Sequence, residues 1–230
     1  MNKVVITQSN YIPWKGYFDL INRANHVVFY DDMQYTKRDW RNRNKIQTAN
    51  GPQWLSIPVE VKGKYYQSIK DTQISDPEWG IKHWQSIVHN YKKSKYFNDY
   101  ESVFKPLFIN SSETYISQIN YRFIHEIMKI LSIDTKIHWS SDFLLRQGKS
   151  ERLLGVCKDL DATHYISGPA AREYLDESVF FNEDVIVEWM DYSDYPEYQQ
   201  VYKPFEHGVT ILDLIFNVGP DAHNYMKSFG

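Results

Sequence analysis

Ser167-Gly168-Pro169, followed by Arg172, has the composition of an anion cradle. Serine is a preferred cap residue, glycine lets backbone approach a ligand, and proline is preorganised at a first helical position. Arg172 falls within the first turn and can meet a phosphate with two parallel hydrogen bonds. The first amides of a helix lack internal partners and carry the positive end of its dipole, so such a turn suits phosphate or carboxylate. The alternative is an ordinary cap, with Arg172 paired to a carboxylate. A junction of similar build runs from Lys3 to Phe18, where Val4-Val5-Ile6 leads through a polar turn to Pro13 and Trp14-Lys15-Gly16-Tyr17. Lys15 can neutralise a phosphate and Tyr17 can donate one hydrogen bond. Gln8, Tyr11, Trp14 and Gly16 then line the pocket beside them. The alternative is that Trp14 and Tyr17 pack the helix onto a sheet.

Between these junctions, Asp31 to Lys45 carries five basic residues interleaved with rings and amides. Gln34, Arg38 and Arg43 are its candidates for clamping a phosphate or stacking a base. A solvated loop is the bland reading. Asp31 is the best-placed carboxylate for a general base or for gripping a sugar hydroxyl, and His83 is the second base candidate. Tyr198 and Gln200 close the cleft, or anchor a loop. His83 and His89 do not have the spacing of a zinc pair on one helix face, and no cysteine cluster exists, so no structural metal is expected. Cys157 sits on a helical apolar face with Leu153, Leu154 and Val156, which favours packing over nucleophilic chemistry.

The elements that must position these residues follow from periodicity. Lys3 to Gln8 reads as a buried strand, Pro13 opens a helix with Phe18, Leu20 and Ile21 on its apolar face, and His26 to Tyr30 is a second strand. Strand, helix and strand within some 30 residues is a βαβ unit. Further helices are expected at Gly80 to Tyr91, Phe97 to Leu107 with a break near Pro106, 116–130 with Ser111 or Ser112 as its cap, Glu151 to Leu160 opened by Ser150, and Thr210 to Phe216. Strands are expected at Trp54 to Val61, Lys136 to Trp139, Tyr165-Ile166 and Val185 to Trp189. The alternation points to an α/β fold, a Rossmann-like doubly wound and mostly parallel sheet. The whole chain, 1–230, reads as a single domain, with about 80–131 as a helical insertion or subdomain.

Composition bounds the rest. A net charge of −3 selects neither nucleic acid nor an acidic surface as partner, so no DNA is expected. Cys157 is the single cysteine, which excludes an internal disulfide and fits a reducing cytoplasm. Met1 runs directly into a strand with no signal-like segment, and no apolar run reaches the length of a membrane span, so any membrane role is peripheral. Aromatic residues make up 16% of the chain, which suits clefts that hold flat rings.

The first junction resembles the H-x-G-H signature of nucleotidyltransferases, in which two histidines bind phosphate. Trp14 and Tyr17 stand at the two histidine positions here, and neither supplies an imidazolium. The chain as a whole is more specifically similar to the WbqC-like family. The pattern Gln8-Ser9-Asn10-Tyr11-Ile12-Pro13-Trp14-Lys15-Gly16-Tyr17-Phe18 matches its opening, departing at Ser9 where proline is usual. Asp31-Asp32-Met33-Gln34-Tyr35, Asn42-Arg43-Asn44, Trp54 to Pro58, Tyr165 to Gly168, Tyr198 with Gln200, and Ile211 to Gly219 match in order. The resemblance implies a context in O-antigen-type or other surface-polysaccharide pathways, with an acyl or aminoacyl (glycyl) group transferred to an amino sugar. It transfers no catalytic residue and names no cofactor. The expected partners are a phosphorylated or nucleotide-linked sugar and an acyl or aminoacyl donor. Nucleotidyl transfer at the altered H-x-G-H site and a noncatalytic binding scaffold stay open as alternatives.

Overall fold

The computed structural model describes residues 1–229. Its centre is a five-stranded sheet of β1 (Lys3–Thr7), β2 (His26–Phe29), β5 (Lys136–Trp139), β6 (His164–Ser167) and β7 (Ile186–Trp189). The spatial order is β5-β2-β1-β6-β7, and every neighbouring pair is parallel. The remaining strands, β3 (Arg43–Ile46) and β4 (Gln53–Ser56), form a separate antiparallel hairpin.

Both faces of the sheet are covered, which explains why the strands are continuous apolar runs rather than alternating ones. Val5, Val27, Phe29 and Ile166 point to a core shared with α1 (Lys15–Asn22), α2 (Trp79–Tyr91), α3 (Phe97–Ile109), α4 (Ile116–Ile130) and α7 (Ile211–Val218). Val4, Ile6, Val28 and Tyr165 point to the opposite core, beneath α5 (Lys149–Asp159) and α6 (Glu177–Phe181). Residues 80–131 are built into the first of these cores. Phe216 of α7 lies against Phe97 and Phe104 of α3 at ring separations of 5.1 and 5.5 Å.

Several boundaries differ from expectation for local reasons. α3 runs through Pro106, whose missing amide leaves the Ser102 carbonyl free on an exposed turn. Neither Ser111 nor Ser112 caps α4; Tyr115 precedes it with no side-chain cap, and Ser111 instead donates to Glu113. α5 begins after Gly148 at φ +92°, a conformation that disfavours other residues, and Ser150 turns away to accept the Asp176 amide. The strand expected from Trp54 to Val61 ends at Ser56. After β6 comes a five-residue 3-10 helix, Pro169–Glu173, so few dipoles align behind Gly168.

The strand order fixes where a ligand belongs. From β1 the chain steps outward through β2 to β5, then returns to β6 on the other side of β1. The switch point therefore lies between the ends of β1 and β6, where open parallel sheets hold their ligands.

Candidate functional site

A cavity of about 860 Å³ opens at this switch point. Thr7 and Gln8 leave β1 into its floor, and Ser167 and Gly168 leave β6 beside them. Trp14 and Tyr17 form one wall from the start of α1. The opposite wall is the start of α5, with Gly148, Lys149 and Arg152, and the loop after β2 contributes Trp40 and Arg41. Three cations and several large rings thus share one space large enough for a nucleotide-sized molecule.

Each wall residue is held by local geometry. Gly16 is required because the Trp14 indole folds over it: a Cβ there would lie 2.3 Å from the ring. Trp14 then packs edgewise on Tyr192 and Tyr195 at 5.3 and 5.5 Å. The Tyr17 hydroxyl donates to the Gln8 carbonyl at 3.0 Å, and burial raises its pKa well above the ordinary value, so it stays a neutral donor. Arg41 donates to Asn10 Oδ1 and lies 3.5 Å from Asp39. Burial lowers its pKa from a high starting value, and a guanidinium stays charged there. Arg152 is braced by the Arg146 carbonyl at 2.9 Å and the Tyr30 hydroxyl at 3.4 Å. The α5 amides have no side-chain cap, so their orphan donors face the same end as Lys149 and Arg152; Glu151 in that turn leaves one net positive charge there.

Gln8, Trp14, Tyr17, Ser167 and Gly168 therefore come together around the cavity. Ser167 does not cap the following turn; its hydroxyl accepts from Tyr165 at 3.3 Å. Gly168 leaves room, since a Cβ there would meet nothing closer than the Tyr192 hydroxyl at 3.7 Å. Arg172 is exposed, with its guanidinium 5.1 Å from the Trp189 ring centre, away from the cavity.

The other candidates build the frame around the site. Asp31 is buried and accepts from the Ser9 amide at 2.8 Å, the Ser9 hydroxyl at 2.6 Å and the Ser117 hydroxyl. Burial raises its pKa against those bonds. It joins the exit of β1 to α4. His83 lies between the Tyr11 hydroxyl, at 2.8 Å from Nδ1, and the Ser56 carbonyl, at 3.2 Å from Nε2. A carbonyl only accepts, so Nε2 carries the hydrogen and Nδ1 receives the Tyr11 proton. Burial lowers the His83 pKa to about 4. Lys15 points away from the cavity and donates to the Pro196 carbonyl at 3.0 Å, above the rings of Tyr195 and Tyr198. Burial brings its pKa to about 8, with Asp19 and Asp213 pulling upward.

Tyr198 and Gln200 donate to buried Asp213 at 2.8 and 2.9 Å, and Tyr91 donates to its other oxygen at 2.9 Å. Gln34 donates to the Tyr65 carbonyl, the Arg38 carbonyl accepts from Arg43, and Arg43 stacks 4.0 Å over Trp54. Cys157 is buried, with its thiol pKa pushed up to about 12. The cations that do face the cavity, Arg41, Lys149 and Arg152, were not singled out by type and spacing. Arg41 sits inside the basic segment, two places from Arg43. Lys149 and Arg152 are a basic pair three residues apart at a helix start that follows a strand, a pattern the first two junctions overshadow.

An open parallel sheet with a basic, ring-lined cavity at its switch point defines an α/β protein with its crevice in the ligand position of such folds. The chain belongs to the WbqC-like protein family, which it matches over residues 8–225. It is also 45% identical over 227 residues to the Uncharacterized protein Rv1507c of Mycobacterium tuberculosis, covering 99% of this chain and 98% of that one. No solved structure matches it.

Proposed function

We propose that the cavity binds a nucleotide-linked amino sugar and that the protein transfers an acyl or aminoacyl group to the sugar amine, as a transferase of surface-polysaccharide assembly. The observation that carries this reading is the convergence of Arg41, Lys149 and Arg152 with Trp14, Tyr17 and Trp40 on one cavity. Cations answer a diphosphate, and rings answer the flat faces of a base and a sugar. Family membership supports the pathway context.

In the transfer, the amine nitrogen forms a bond to the donor's carbonyl carbon, the bond from that carbon to its leaving group breaks, and the amine proton leaves with that group. The described cavity walls carry no carboxylate or imidazole, so the leaving group is the proton's destination. Arg41 is the guanidinium placed to meet developing negative charge. Asp31 and His83 act as positioning residues, through Ser9 and Tyr11. The same lack of a wall-mounted base favours a second reading, a binding protein without turnover. Nucleotidyl transfer gains little from Lys15, whose ammonium is spent on Pro196.

The test is a melting screen against nucleoside diphosphates, nucleotide sugars with and without a free amine, and ATP with magnesium. A ligand at ~100 times its dissociation constant adds about 2.7 kcal/mol of stability. A binder is then incubated with coenzyme A thioesters and aminoacyl donors and weighed by mass spectrometry. An acylated amino sugar is the expected product. Binding without product supports the second reading, and no stabilisation by any nucleoside diphosphate refutes both.

A further inference from the structure

The turn from Lys62 to Tyr66 has no part in the cavity, yet it carries the two most exposed tyrosines described. Tyr65 is 74% and Tyr66 is 87% exposed, and Lys62 and Lys64 beside them are exposed as well. Gly63 at φ +72° makes the tight reversal that projects them. The turn is fixed rather than loose. The Gln34 amide donates to the Tyr65 carbonyl at 2.8 Å, and the Tyr35 amide donates to the Gln67 carbonyl at 2.9 Å. That tether sets it beside the segment bearing exposed Lys37 and Arg38. Residues 33–66 hold seven Lys or Arg against two acidic residues, and Lys37, Arg38, Lys62 and Lys64 are the four of these cations that are exposed, in a chain whose net charge is −3. One of those acids, Glu60, pairs with Lys64 on the surface, where such a pair exchanges readily for another anion.

We propose that this turn is a docking surface for an anionic lipid bilayer. Tyrosines with lysines at an exposed tip suit the headgroup region, where rings enter the interface and cations meet lipid phosphate. A nucleic acid is the competing occupant, and the ring geometry disfavours it. Tyr65 and Tyr66 meet edge to face, 4.9 Å apart and 89° between planes, so the pair offers no continuous stacking platform. The nearest exposed indole of the hairpin, Trp54, already has Arg43 over its face. No helix of the described residues is long and apolar enough to cross a membrane, so docking here is peripheral. The proposal is independent of which ligand the cavity takes.

The test is flotation of the full chain with vesicles of phosphatidylcholine, with and without about 30% phosphatidylglycerol. The chain is expected to float with the anionic vesicles, to stay behind with the neutral ones, and to be released at about 0.5 M salt. Lys62→Glu with Lys64→Glu should lower partitioning at least about tenfold. Tyr65→Ser with Tyr66→Ser should lower it too, and these exposed changes should leave the melting temperature in place. No flotation with anionic vesicles overturns the proposal, as does flotation that neither double variant weakens. Retention of a single-stranded oligonucleotide through these same residues, without vesicle binding, reassigns the turn to nucleic acid.

Discussion

Acidification should weaken this protein through His83, by an amount the structure sets. The imidazole is buried between the Tyr11 hydroxyl and the Ser56 carbonyl, and its pKa falls from 6.5 to about 4 because burial disfavours the charged ring. In the unfolded chain the ring regains its ordinary value. The folded value lies below the unfolded one, so the stabilisation is complete above pH 6.5 and is lost as pH falls toward 4. The gap corresponds to about 3 kcal/mol. For a chain of this length that is about 6–12 °C in melting temperature. The Ser56 carbonyl tolerates either state, whereas protonation of Nδ1 turns the Tyr11 hydroxyl from donor to acceptor and takes away the acceptor of its hydrogen.

Carboxylates titrate over the same range, and buried Asp31 and Asp213 act in the opposite sense. Their raised pKa values mean that protonation on acidification relieves part of their burial cost. The comparison must therefore be between the wild type and His83→Gln, which keeps a donor and an acceptor but does not titrate. Denaturant unfolding at steps from pH 7 to pH 4 should show the wild type losing about 3 kcal/mol relative to the variant. Nitrogen NMR of the ring reads the same pKa directly. Parallel stability curves, or a ring that titrates near 6.5 in the folded protein, would refute the reasoning and reopen His83 as a base.

Gly16→Ala should cost about 1–3 kcal/mol by forcing the Trp14 indole off its place, and should weaken cavity ligands with it; calorimetry and indole fluorescence check both. Arg152→Ala should reduce nucleoside diphosphate affinity by about 1.5–3 kcal/mol, the loss of a charge-assisted bond, whereas Arg172→Ala should leave it unchanged; titration calorimetry of the two variants decides which arginine serves the site. Asp213→Ala should destabilise by about 3–5 kcal/mol, because Tyr91, Tyr198 and Gln200 lose their shared acceptor; an unfolding midpoint close to the wild type's contradicts that.

The legible part of this fold is the part with a period. β1, α1, β2 and α4 announce themselves as unbroken apolar runs or helical stripes, whereas the strand order, and with it the switch point, has no signature in the chain. Of the hairpin, β3 was hidden because Arg43-Asn44-Lys45-Ile46 has a polar surface side, and α6 was hidden because five residues are too short for a stripe. The site was legible in place but not in membership. A polar side chain at a strand exit has two fates, to face the crevice or to hold the loop that shapes it, and irregular backbone has no period to tell them apart. Gln8 and Asp31 look alike by that standard, yet one lines the cavity and the other grips Ser9 and Ser117.

The division of labour between those fates has an electrostatic logic. Asp31 and Asp213 are buried, and each is satisfied mainly by hydroxyls and amides rather than by a contacting cation. With no contacting cation to offset burial, desolvation raises both pKa values although the hydrogen bonds pull them down. Had Arg41 or Lys149 closed the loops by pairing with these acids, its charge would be neutralised inside the frame. Instead Asn120 donates to the Ser9 hydroxyl at 3.1 Å and to the Arg41 carbonyl at 2.9 Å, which places the Arg41 backbone, while its guanidinium, held by Asn10 and 3.5 Å from Asp39, lines the cavity. The neutral donor network fixes the rim, and the positive charge remains where an anionic ligand can meet it.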